Sequence, residues 1–233
     1  MSPDVIEAAL TTPDLDDRDE PSSLAEKAYR LLVRKITRLE LPPGEILAEK
    51  ALMVELGIGR TPIREAMQRL AIEGLVSHLP KRGMLVGDIS VATVQQIYEF
   101  RALIEGFTAR LAATRAGEDD IAELTRLHEA LAQTTGDDNV DGYVDLGRRF
   151  HETLARTARN AYLEEAVPRI YNLHLRLSFF ISREIGGWHP VAHANDEMTG
   201  GVVDALKRRD PEAAELVMKS YFSRRHQVLR GLL

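Results

Sequence analysis

The chain has 233 residues, 44% of them hydrophobic, no cysteine and a formal net charge of −6. That supports one large domain or two modest ones with proper cores, and it excludes disulfides, thiolate metal sites and cysteine nucleophiles. No apolar stretch reaches the roughly 18 residues of a membrane span, and the N-terminus lacks a basic-then-apolar leader, so a cytoplasmic protein with no membrane partner is expected.

Charge is unevenly distributed. Residues 1–21 carry one base against seven acids and three prolines. They read as a mobile acidic tail with room for a short helix over 5–10. Residues 22–90 carry eleven bases against eight acids, and residues 91–233 eighteen against twenty-one, so positive charge concentrates in the first domain. Ser22 and Ser23 offer a cap before "LAEKAYRLLVRKITRLEL", where Ala28, Leu31, Leu32, Ile36 and Leu39 recur at helical spacing. Pro42, Pro43 and Gly44 end that helix, and "LAEKALMVEL" gives a second, shorter one.

After a turn at Gly57 to Gly59 a third helix opens near Thr61 and Pro62, where proline is tolerated because first-turn amides have no intrahelical partner. Ile63, Ala66, Met67 and Leu70 make a buried stripe on it, while Arg60, Arg64 and Gln68 line up on another face. "GLVSHL" and "GMLVG" read as two strands around a basic corner, Pro80 to Gly83. Helix, helix, turn, helix and hairpin predict a winged helix-turn-helix over residues 22–88.

From residue 89 to 233 no strand is evident. Helices are expected near 91–116, 118–135, 139–158, 161–184, 191–208 and 211–231, or seven if Pro168 breaks the fourth. The fold class is therefore mostly α: an N-terminal winged helix-turn-helix followed by an all-α bundle.

A helix fits the major groove of B-DNA, and arginine bonds guanine O6 and N7 bidentately. Arg60 and Arg64 are placed to do so, with Gln68 one turn further on. Thr61 and the early amides suit phosphate oxygens, and Lys50 can approach the backbone from the preceding helix. Lys81, Arg82 and Gly83 on the wing complete a candidate contact set for double-stranded DNA. No enzyme motif competes. "HETLA" matches the start of a zinc-protease helix, but the second histidine position is Ala155, and there is no Gly-rich phosphate loop.

The stretch "LPPGEILAEKALMVELGIGRTPIREAMQRLAIEGLVSHLPKRGMLV" resembles the DNA-binding domain of the GntR family of bacterial transcription regulators. "VQQIYEFRALIEGFTARLAA", "RRFHETLARTARN" and "VVDALKRRDPEAAELVM" resemble its FadR-like (FCD) effector domain. The resemblance implies a homodimeric regulator, most members being repressors, that binds an inverted-repeat operator and is released when a small metabolite enters the bundle. One departure is Gly59, where the family usually has a small hydroxyl residue. It removes a cap, so the third helix is expected to start later or to hold backbone less tightly. The alternative to a sensor is a DNA-bound regulator or architectural protein with a vestigial, ligand-free bundle.

Two polar groups fall on apolar stripes of the bundle. Arg101 lies among Val94, Ile97, Ile104, Thr108 and Leu111, and His151 shares a face with Gly147, Leu154 and Ala158. Each is either satisfied internally, Arg101 by a glutamate, or part of a ligand site. Many relatives hold a divalent metal there, through an aspartate four residues before the histidine and two later histidines. Those positions here are Gly147, Thr199 and Tyr221, leaving only His151; Asp145, six residues before it, faces another way. His174, His189, His193 and His226 could substitute, but nothing in their spacing requires it. No family-type metal and no cofactor are therefore expected. Arg101, His151, Thr199 and Tyr221 would then line a pocket that takes its effector directly, with Arg101 anchoring a carboxylate or phosphate.

Overall fold

A computed structural model describes residues 23–79, 83–134 and 139–233. The acidic tail, the wing residues Lys81 and Arg82, and the end of the expected 118–135 helix lie outside them. Ser23 caps α1 (Leu24–Thr37), its side chain accepting from the Glu26 amide. After Gly44 a short strand, β1 (Ile46–Leu47), precedes α2 (Glu49–Leu56), which stops at Gly57 in the left-handed conformation that glycine tolerates.

The next helix, α3 (Arg60–Ile72), starts at Arg60 with Gly59 as a cap that offers no side-chain bond, so the expected later start does not occur. The Gly59 carbonyl accepts from Ile63, the ordinary first bond of the helix, which does not depend on the missing hydroxyl. β2 (Val76–Leu79) and β3 (Gly83–Val86) form the hairpin, Leu79 opposite Gly83, whose φ of +97° suits glycine at the tip. β1 pairs with the outer side of β3, so a three-stranded antiparallel sheet of order β1-β3-β2 forms among the described residues. Two residues are too short for an alternating pattern, which is why β1 left no mark in the sequence.

Six helices follow: α4 (Val91–Arg115), α5 (Glu118–Gln133), α6 (Val140–Thr157), α7 (Ala161–Ile185), α8 (His189–Lys207) and α9 (Pro211–Leu232). Pro168 lies within α7 without breaking it, so the seven-helix option fails. α4 and α9 form the most extensive helix pair and approach closely at Gly106, where an added Cβ would come within 3.1 Å of Lys219. The buried face of α4 is rotated from the expected stripe. Val94, Ile97, Tyr98, Arg101, Glu105, Thr108 and Ala112 point inward, and Ile104 and Leu111 are half-buried.

Two apolar cores result. One gathers α1 to α3 and the sheet around Leu32, Ile36, Ile63 and Leu70; the other fills the bundle around Leu124, Phe150, Leu177 and Phe222. Leu173 of α7 packs against both. The segment between them is held by Arg176, which is buried and donates to the carbonyls of Gly87 and Asp88 at 2.9 and 3.0 Å.

Candidate nucleic-acid interface and polar core

The first site is the outer face of α3. Ile63, Ala66, Met67 and Leu70 anchor the helix inward, and the 3.6-residue period turns Arg60, Thr61, Arg64 and Gln68 outward, all exposed. Lys50 on α2 and Gly83 on the wing are exposed too. Sequence reasoning passed over Glu49, the first residue of α2, whose carboxylate lies 3.7 Å from Arg60 Nε and 3.2 Å from Arg64 Nε. The two guanidinium groups are thus held by one acid. Arg69, on the same helix, turns back. It pairs with Glu26 at 2.7 Å and Glu73 at 3.2 Å and stacks 3.5 Å above the Tyr29 ring.

The second site is the bundle core. Arg101 is fully buried, and its Nε donates to Glu105 Oε1 at 2.5 Å. The other carboxylate oxygen lies 2.6 Å from His151 Nδ1, at an angle that falls short of an ordinary hydrogen bond. Burial pushes the Glu105 carboxyl up, but the Arg101 charge and then His151 outweigh it and hold it below the usual carboxylate range. Arg101 also sits 4.4 Å over the Phe222 ring, and its Nη1 finds no hydrogen-bond partner among the described residues.

A second buried cation, Arg225, donates to Ser178 Oγ at 3.2 Å and leaves its Nε unpartnered among the described residues. Ser178 contacts His174 Nε2 at 3.2 Å, and the other ring nitrogen faces Tyr98 Oη. Burial, then the charges of Arg101 and Arg225, pull His174 well below the usual histidine range. Among the described residues the bundle core therefore holds two guanidinium groups against one carboxylate. Neither Glu105 nor Arg225 was singled out in the sequence, although both leave a readable signal. Glu105 is one turn from Arg101, and Arg225 continues the stripe of Met218, Tyr221 and Phe222 at helical spacing.

A cavity opens beside these groups, lined by His151, Tyr221, Tyr143, Tyr171, His174 and Asn195 among others. It has only about 20 Å³ for the centre of a water molecule, room for one or two waters rather than a metabolite. Of the four expected effector contacts, His151 and Tyr221 line it. Arg101 stands behind them through Glu105. Thr199 is engaged elsewhere, 2.9 Å from His128 Nδ1 and donating to the Asp196 carbonyl at 3.1 Å.

The residues do not fit the metal that many FCD domains hold. Gly147 brings no donor, and the space above it is occupied: an added Cβ would lie 2.8 Å from the Tyr171 hydroxyl. Of the candidate substitutes, His174 is tied to Tyr98 and Ser178, His226 stacks on Tyr98, and His189 and His193 are exposed.

A three-helix unit with a wing, an exposed cationic recognition face and an attached helical bundle with a polar core define a DNA-binding regulator. The model of the bacterial regulatory proteins of the gntR family matches residues 24–86, and that of the FCD domain matches residues 96–224. The chain belongs to the GntR family, in its FadR-like group with an FCD domain, and is a DNA-binding transcriptional regulator, not an enzyme. It is 37% identical over 134 residues to an HTH-type transcriptional regulator of Agrobacterium vitis in the TAR-I ttuE-ttuC' intergenic region, covering 56% of this chain and 78% of that one. It is 26% identical over 208 residues to the HTH-type transcriptional repressor RspR of Escherichia coli, covering 89% of each. Among solved structures it resembles McbR/YncC of E. coli with a TM-score of 0.76 at 22% identity, covering 90% of this chain and 98% of that one, a likeness of fold.

Proposed function

We propose that this regulator acts in the cytoplasm as a homodimeric repressor whose two winged domains, residues 22–88, read the halves of an inverted-repeat operator, and that a small organic anion entering the 89–233 bundle releases it. Lys50, Arg60, Thr61, Arg64, Gln68 and Gly83 are the assigned DNA contacts, with Lys81 and Arg82 on the wing. Repression is in keeping with the name of the RspR relative. The observation that carries the effector reading is the uneven buried charge: among the described residues Arg101 pairs with Glu105, Arg225 is buried against Ser178 with no carboxylate partner, and Arg101 Nη1 has nothing to bond. A carboxylate or phosphate would supply the missing acceptor and the missing charge.

Dimerisation is supported by α4, whose Phe100, Leu103 and Phe107 recur at i, i+3 and i+7 and stay 45%, 63% and 44% exposed. A second copy would cover them.

The rival reading, a ligand-free bundle serving as scaffold, draws on the narrowness of the cavity. Thermal shift separates the two, since an anion bound to the folded state raises its melting temperature. Organic acids and phosphorylated metabolites should raise it in the wild type but not in Arg101→Ala; an equal rise in both would remove Arg101 from the site. For DNA, Arg64→Ala should cost about 1 to 3 kcal/mol on a duplex enriched by the wild-type chain and relax selectivity at one base pair. Equal loss on every sequence would make Arg64 a phosphate contact. Stoichiometric zinc, nickel or manganese in chelator-washed protein would overturn the metal-free pocket.

A further inference from the structure

The cavity and the DNA-binding domain share one wall, the 171–178 stretch of α7. Tyr171, His174, Leu175 and Ser178 line the cavity, while Asn172 borders a groove of about 990 Å³ between the bundle and α1 and α3. Asn172 Nδ2 donates to Tyr29 Oη at 3.3 Å, and Tyr29 Oη donates to Glu73 Oε2 at 2.7 Å, at the residue that ends α3. On the bundle side Arg148 Nη2 donates to Asn172 Oδ1 at 3.0 Å and lies 5.1 Å from the centre of the Tyr171 ring. That ring stands 5.3 Å from the His151 ring. A chain of contacts thus runs from the cavity through Tyr171, Arg148, Asn172 and Tyr29 to the base of the recognition helix.

Among the lining groups Tyr171 joins the cavity to this chain of contacts and is itself lightly held. The cavity is too small for a metabolite, so an effector must displace something. Ser178 and His174 are tied to Arg225 and Tyr98, whereas the Tyr171 hydroxyl is tethered by a long bond of 3.4 Å to the Val144 carbonyl. It sits over Gly147, where an added Cβ would lie 2.8 Å from it. We propose that Tyr171 is the moving part of the sensor, and that Arg148, Asn172 and Tyr29 are positioning residues that carry its displacement to α3 and weaken DNA binding. The proposal rests on the effector reading of the bundle, but it can be tested without an effector.

Gly147→Ala puts a methyl group against the Tyr171 hydroxyl and favours the helix it stands on. In the full chain it should weaken binding to a duplex enriched on the wild-type protein by roughly fivefold or more, the low end of an allosteric coupling. Adding Tyr171→Phe removes the collision and should restore binding. In an Asn172→Ala background Gly147→Ala should change affinity little, because the contact chain is cut. Wild-type affinity in Gly147→Ala alongside a changed melting temperature, or a Tyr171→Phe double variant as weak as the single one, would overturn the proposal. Should the alanine variant fail to fold, Tyr171→Trp enlarges the ring instead and is read against Asn172→Ala in the same way. If no anion shifts the wild-type melting temperature while the Gly147→Ala response persists, the effector reading fails and the coupling stands.

Discussion

Arg101, Glu105 and His151 place a cation, an anion and a titratable ring within one buried cluster, where charge is tolerated only when paired. Removing one member should therefore be costly. Glu105→Gln is expected to lower stability by about 3 kcal/mol in urea unfolding, since it leaves Arg101 without a counter-charge, and Arg101→Met added to it should recover part of the loss. His174 sets a pH dependence. Its folded-state value is depressed, so the unfolded chain takes up a proton that the folded chain refuses, and stability falls as pH drops below the ordinary histidine value of 6.5. Glu105, also depressed, adds a further loss only at lower pH, below the ordinary carboxylate value of 4.5. Melting temperatures measured from neutral pH downward should fall, and His174→Gln should flatten the upper part of that fall.

At the scale of elements, α3 and α7 mark what a sequence does and does not reveal. The face of α3 was readable because a single helix carries both its apolar stripe and its arginines, a local pattern set by the helical period. The Arg101 pairing was readable in outline for the same reason, its partner being four residues away. Asn172 and Tyr29, 143 residues apart, meet only because α1 packs on α7, and no periodicity in either helix announces the bond. Glu49 was hidden by the same limit, since its role depends on how α2 is set against α3. The α4 stripe was legible as apolar content but not as surface, because α9 covers the opposite face. If the proposed dimer forms through α4, Phe107→Asp should lower the mass seen in sedimentation or light scattering relative to the wild type, with the bundle's helical content unchanged.

The whole molecule joins a recognition domain to a polar bundle along α7, with Arg176 bracing the segment between them. Burial pulls the Arg176 guanidinium down to about 10, still high enough to stay charged near neutrality and hold both carbonyls. The remaining consequence concerns Glu49. A regulator must search a genome in which non-specific sites vastly outnumber its own, and the dwell time on each wrong site is set by phosphate attraction. On the proposed contact set, a random duplex must displace the Glu49 carboxylate from Arg60 and Arg64 before it gains those contacts, whereas a guanine edge in the proposed operator would return two bonds for each arginine released. Glu49→Gln should accordingly tighten binding to random DNA more than to the enriched duplex and steepen the salt dependence of the random complex, both readable by fluorescence anisotropy. That outcome would make the acid beside the proposed recognition arginines a brake on idle residence, trading a little affinity everywhere for speed in finding the one site that matters.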